Sequence, residues 1–262
     1  MSNNENSGIT ERMNVVALES QLLQLEYEFL KALGNAEAPL GASTLVHTLG
    51  KKYDLSQATI GRKLMEFDIE GYTVLEGRKG RILTDKGSGR VAYLEKVLQQ
   101  KNVNSQLLQL LNNSGESALL DVLVARRALE REIASLAAQR ATKEEIKLLE
   151  ASVAAQHELL SQNIIPYEED REFHTLLALA ARNEVLLHAA QLVWQTGRDF
   201  LETAYIRRKV GSELVVDHRK ILDAVAAGSA EQAEAAMVTH INQMIEDVKR
   251  YYAIQNQEQR HS

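Results

Sequence analysis

Apolar positions in the first hundred residues change period twice. Leu18, Leu22, Leu25, Phe29 and Leu33 recur at three- and four-residue intervals, which predicts a helix over 18–33 closed by Gly34-Asn35. Leu45, Val46 and Leu49 mark a second, short helix over 42–52. Ser56 is placed to cap a third helix that carries Ile60, Leu64, Phe67 and Ile69 and stops at Gly71. The period then shortens. Tyr72 to Leu75 and Arg81 to Thr84 are β-prone runs separated by Glu76-Gly77-Arg78-Lys79-Gly80, a turn with two glycines and two bases. Three helices followed by a two-stranded hairpin is the order of a winged helix-turn-helix. A further helix over 87–101 leads out of this head.

Residues 102–117 are rich in Asn and Ser and are read as a linker, into which Leu107 to Leu111 can extend a helix, and the polar residues 1–17 as a disordered tail. From Ala118 to residue 254 the pattern is helical throughout. Leu119 to Gln139 is long and amphipathic, and Thr142 with Glu145 forms a capping box for a helix reaching Ser161. Pro166 opens a helix to Ala181, Asn183 caps one predicted to reach Arg207, and Ser212 caps one to Ala227. Ser229 with Gln232 starts a last helix over 230–253. The fold class is therefore mainly α: a winged helix-turn-helix over 18–101 and an all-helical domain over 118–254.

Composition supports two soluble domains in 262 residues, with 45% apolar and 25% charged positions. The absence of cysteine excludes disulfides, thiolate metal sites and cysteine nucleophiles, so any metal must be held by His and carboxylates. No apolar run approaches the roughly 20 residues of a membrane span, and the N-terminus lacks a secretory pattern. The expectation is a cytoplasmic protein without a membrane partner.

The overall charge of −6 argues against nucleic acid, but its distribution does not. Residues 51–90 hold nine Lys/Arg against six acids, and local charge governs contact with phosphate. In a winged helix the third helix enters the major groove and the hairpin lies on neighbouring backbone. The candidate base-reading residues are Gln57, Thr59, Arg62 and Lys63, whose side chains can bond base edges. Arg78, Lys79 and Arg81 are the candidate phosphate contacts on the wing. Each charge alone is equally compatible with a solvated face; the ordered set points to double-stranded DNA.

In the helical half, Asp170 and His174 lie one turn apart on one helix face, His218 sits near the start of its helix, and His240 lies within the last. Four such ligands from three helices can enclose a divalent ion in a bundle. Imidazoles suit Zn, Ni, Fe or Cu, and the carboxylate extends this to Mn. From spacing alone the histidines are as readily core or surface residues, and a metal-free structural module remains open. A metal with an open position can also activate water. Glu172 is the nearest candidate base, but at two residues from Asp170 it faces elsewhere, and Gly77-Arg78-Lys79-Gly80 is too short for a phosphate loop.

The motifs of this half occur in a recognisable order: Leu123 to Glu130, Ala137-Ala138, Asp170 to His174, Ala181-Arg182-Asn183, Asp217 to Ala224, Gly228 to Ala233, and Met237 to His240. Over 118–250 they resemble the FCD sensor domain of the FadR subfamily of GntR regulators. That resemblance implies a six- or seven-helix antiparallel bundle in a homodimeric transcriptional regulator, not an enzyme. It also implies a divalent metal (Zn, Ni or Mn) on Asp170, His174, His218 and His240, and a small organic acid effector paired with Arg126. Asn183 matches a further family position in the effector set, although a helix cap explains it as well. The head departs from the family, whose recognition helix carries Ser-Arg-x-Pro-Val-Arg-Glu-Ala-Leu where this chain has Ser56-Gln57-Ala58-Thr59-Ile60-Gly61-Arg62-Lys63-Leu64. It is similar to a different winged-helix variety, so the family's operator sequence does not carry over.

Overall fold

The computed structural model describes residues 3–194, 198–212 and 216–261, with side chains over 18–194, 202–212 and 217–258. The chain divides into two compact units, residues 1–107 and 108–262.

The first unit begins with α1 (Asn3–Gly34). The segment 3–17, expected to be a disordered tail, is helical. It contains no proline, and extending an existing helix costs far less than nucleating one. The core face of α1 is made by Phe29, Leu30 and Leu33, whereas Leu18 and Leu22 are exposed. The second helix is composite: α2 (Ala42–Leu45), a π-helical turn (Val46–Gly50) and α3 (Lys51–Tyr53), ended by Asp54 in the left-handed region. The third is α4 (Gln57–Ile69), capped by Ser56, whose Oγ accepts from the Thr59 N–H at 3.1 Å. Ile60, Leu64 and Phe67 of α4 join α1 in the core with Leu45, Leu49 and Leu94. Ile69, expected inside, is 86% exposed, because the helix ends at Glu70 and its last turn lies beyond the core face.

The strands β1 (Thr73–Glu76) and β2 (Gly80–Leu83) pair antiparallel with Val74 opposite Ile82. Leu40 adds one bridge to Arg81 through both backbone hydrogen bonds, 3.0 and 2.8 Å. This approach requires Gly80: its φ is +133°, and a Cβ there would meet the Leu40 carbonyl carbon at 2.5 Å.

The expected linker is mostly absent. α5 (Asp85–Leu111) runs through 102–111, and the unit boundary falls inside it. The Asn and Ser residues there do not stop a helix supplied with Leu107, Leu108, Leu110 and Leu111; only the stretch around Asn113 to Gly115 breaks it.

The second unit is a bundle of α6 (Glu116–Arg140), α7 (Lys143–Ser161), α8 (Tyr167–Ala180), α9 (Glu184–Trp194), α10 (Arg198–Lys209), α11 (Val216–Ala226) and α12 (Ala230–His261). The Thr142–Glu145 capping box is present in both directions, at 3.2 and 2.7 Å. The helix expected from Asn183 to Arg207 is represented by α9 and α10, on either side of residues 195–197; these lie outside the described residues, as do 213–215, which follow the expected Ser212 cap. The long helices α6 and α12 pack on one another. The core draws Leu123, Ile133 and Ala137 from α6, Phe173 and Leu177 from α8, Ile221 from α11, and Met237, Ile241 and Val248 from α12. Among the described residues no helix is long and apolar enough to cross a membrane.

Candidate metal centre and DNA interface

One turn of α8 carries Asp170 and His174, the first turn of α11 carries His218, and the inward face of α12 carries His240. The bundle brings one ligand atom of each within 4.8 Å of the others. Asp170 Oδ1 lies 3.2 Å from His218 Nε2 and 3.6 Å from His174 Nε2, and the Nε2 atoms of His218 and His240 are 3.3 Å apart. All three imidazoles are at most 2% exposed. Phe173 stacks on His218 with ring centroids 4.5 Å apart, closing the apolar side.

The far nitrogens of His174 and His218 lie within hydrogen-bond distance of a polar oxygen, and that of His240 faces a carboxylate from farther away. His174 Nδ1 lies 2.6 Å from Glu130 Oε2, His218 Nδ1 is 2.7 Å from Gln156 Oε1, and His240 Nδ1 is 3.6 Å from Asp217 Oδ2. Outer partners of this kind fix the tautomer that leaves the inner nitrogen as a ligand. Three inward Nε2 atoms and one carboxylate, enclosed and mutually close, fit a divalent cation with His₃Asp ligation. Apolar packing alone gives three buried imidazoles no reason to turn toward one another.

Electrostatics sharpen this. Burial pushes His218 well below the ordinary imidazole range, aided by His240, and burial likewise brings His240 down to about 4. For His174, burial is outweighed by Glu130 and Asp170, which raise it to about 9. Burial also opposes ionisation of Asp170, but the surrounding histidines hold it well below the usual carboxylate range. The neighbouring His240 is the main reason that Asp217 is lowered to about 2, with Arg207 adding to it. The cluster is therefore a carboxylate with one cationic and two neutral imidazoles near neutral pH, and a metal would replace the single proton.

Beside the cluster is a small cavity. Asp170 and His218 form its metal side, Arg207 and Thr203 its α10 side, with Gln156 and Met244 completing the wall. Arg207 is 3% exposed and is held by Asp217 Oδ2 at 3.2 Å and Asp247 Oδ2 at 3.3 Å. Sequence reasoning missed it: Arg207 is one of three consecutive basic residues in the last turn of α10, and only its place one turn after Thr203 sets it apart. Arg126, expected to face the effector, does not line this cavity. It is fully buried, with Nε 2.6 Å from Glu130 Oε1, an i,i+4 pair on α6. Asn183 is the cap of α9, its Oδ1 accepting from the Leu186 N–H at 3.2 Å. Glu172 is exposed and outside the cluster, as its position in the helix requires.

In the head, Gln57 and Arg62 are exposed on the first turns of α4, and Thr59 is half-buried beside Ser56. Arg78 and Lys79 are exposed in the turn between β1 and β2. Two of the basic candidates are partly engaged. Lys63 pairs with Glu66 at 2.8 Å, and Arg81 is held by Asp68 at 2.7 Å, with Thr73 on the other carboxylate oxygen at 2.6 Å. Arg81 therefore ties the wing to α4, a role that the sequence pattern did not separate from phosphate contact.

Residues 121–243 match the FCD domain family, and residues 27–90 match the ribonuclease R winged-helix domain family. The second match agrees with the departure of the head from the usual GntR pattern. The HTH-type transcriptional regulator LutR of Bacillus subtilis is 29% identical over 217 residues, covering 80% of this chain and 92% of that protein. The putative L-lactate dehydrogenase operon regulatory protein of Escherichia coli is 28% identical over 182 residues, 66% of this chain and 68% of its own. A solved GntR family member from Pseudomonas syringae pv. tomato superposes with a TM-score of 0.46 at 15% identity, covering 91% of this chain and 98% of that one. These relatives are regulators rather than enzymes. Residues 121–243 are thus an FCD domain, and the chain as a whole is similar to GntR-type transcriptional regulators.

Proposed function

We propose that the protein is an operator-binding homodimer whose helical unit holds one divalent metal and senses a small organic acid. The observation that carries this reading is the convergence of Asp170 Oδ1 and three buried Nε2 atoms, with Glu130 and Gln156 close behind His174 and His218. Zn, Ni and Mn are the candidate ions. When bound, the ion would supply a Lewis-acid position for an effector oxygen. This chain's own residues would do the rest. Arg207 offers a buried guanidinium at the cavity for a carboxylate, and Thr203 and Gln156 offer polar contacts. Arg207, rather than Arg126 or Asn183, is thus the residue assigned to the effector.

An effector carboxylate on Arg207 would compete with Asp217 and Asp247, on α11 and α12, so ligand binding and helix placement are energetically linked. Effector and operator affinities must then be reciprocally coupled. Gln57, Thr59 and Arg62 are proposed to read bases, Lys63 to assist from its pair with Glu66, and Arg78 and Lys79 to hold phosphate. Arg81 positions the wing. A two-fold operator follows from a two-fold protein.

The name of the Escherichia coli relative makes L-lactate the first acid to try. Calorimetry of metal-loaded protein with L-lactate and larger hydroxy acids tests the reading. Binding by one of them, weakened at least about tenfold by Arg207→Gln in protein that still melts cooperatively, is expected. Full affinity in Arg207→Gln would remove Arg207 from the site, and heat from none of the acids would remove the carboxylate effector.

A further inference from the structure

Behind the metal cluster lies a buried ionic group of which only the contact to His174 has been used so far. Glu130 on α6 is 1% exposed and its carboxylate is divided between two tasks. Oε1 accepts from Arg126 Nε at 2.6 Å and from Trp194 Nε1 on α9 at 2.9 Å. Oε2 is left facing His174 Nδ1 at 2.6 Å. Two fixed donors on one oxygen set the rotation of the carboxylate, and that rotation presents the other oxygen to the imidazole.

We propose that Glu130 is the positioning residue of the metal site. It holds His174 in the tautomer and ring orientation that aim Nε2 at the ion, and it is itself oriented by Arg126 and Trp194. This inference rests on the metal reading above. Of the three outer partners, Glu130 is the one locked from two sides by other helical residues. His218 leans on a neutral amide, and the partner of His240 is 3.6 Å away and also held by Arg207.

The arrangement predicts an unusual effect of an isosteric change. In Glu130→Gln, Arg126 and Trp194 both donate, so the amide oxygen must take the Oε1 place. The amide NH₂ is then turned toward His174 Nδ1 and donates to it. Nδ1 becomes an acceptor, the ring proton moves to Nε2, and Nε2 can no longer bind the ion.

The test is a Co²⁺ titration of the full chain followed by visible absorption, wild type beside Glu130→Gln, with circular dichroism of both. The expected result is a roughly 10–100-fold weaker Co²⁺ affinity in the variant, with an altered d–d spectrum and unchanged helicity. Equal affinity and an identical spectrum would overturn the role of Glu130 while leaving the metal site standing. No Co²⁺ binding by the wild type would overturn both. Should Glu130→Gln fail to fold, ¹⁵N-histidine NMR of the zinc-loaded wild type decides. His174 bound through Nε2, with an Nδ1 proton farther downfield than that of His218, is expected. Coordination through Nδ1, or an Nδ1 proton no farther downfield than that of His218, would overturn the proposal.

Discussion

The three histidines of the cluster share an environment but not a protonation state, and the difference has a measurable consequence. His174 is raised to about 9, whereas His240 is lowered to about 4 and His218 is also lowered. At pH 7.5 the metal-free protein is therefore expected to hold His174 as the imidazolium, whose second ring proton the ion must displace. Metal uptake is expected to release about one proton per site at pH 7.5 and none well above pH 9, so affinity rises with pH across that window. Calorimetry in two buffers of different ionisation enthalpy measures this, and zero release at pH 7.5 would contradict the assignment of His174. The ligands themselves were legible as the i,i+4 pair of Asp170 and His174 followed by His218 and His240. Their outer partners were not. Glu130, Gln156 and Asp217 come from other positions in the chain and look like ordinary polar residues until the helices meet. Arg126, which the family resemblance places at the effector, is paired with Glu130 one turn along α6, a contact that the sequence analysis did not draw.

Helices and strands were read well where a local signal ends them. Ser56, the Thr142–Glu145 box and Pro166 fix the starts of α4, α7 and α8. Ser56→Ala is expected to cost roughly 1 kcal/mol of head stability by thermal melting, through loss of the bond to Thr59 N–H. Gly80→Ala should cost on the order of 1–3 kcal/mol, because it forces a positive φ on alanine and pushes the wing from Leu40. A variant as stable as the wild type would show that the Leu40 bridge does not constrain the wing. That bridge was not visible in sequence, since a single paired residue has no periodicity. The helical run through 102–111 is legible only in part, from the leucines between Leu107 and Leu111, because the Asn and Ser residues around them suggest a linker. On the DNA side, Arg78→Ala or Lys79→Ala should weaken binding to all sequences alike and lower the salt dependence. Gln57→Ala or Arg62→Ala should instead relax sequence preference, both read by fluorescence anisotropy on matched and mismatched duplexes. Arg81→Ala is expected to act through stability, since its partner is Asp68.

For the protein as a whole, an acidic chain of net charge −6 has its basic excess over residues 51–90 of the head, where Lys52, Lys63, Arg81 and Arg90 are engaged with acids of the head itself. The positive surface offered to phosphate is accordingly narrower than the sequence count suggests, centred on Arg62, Arg78 and Lys79. The helical unit carries the FCD match and the buried cluster, and the regulatory proposal stands on that cluster holding an ion. The most direct test is elemental analysis of untagged protein, beside a variant with Asp170, His174, His218 and His240 all changed to alanine. About one divalent metal per chain in the wild type, absent from the variant, is the predicted result. No metal in the wild type, even after incubation with Zn, Ni or Mn, would contradict the account and leave three buried imidazoles facing one another without an ion to explain them.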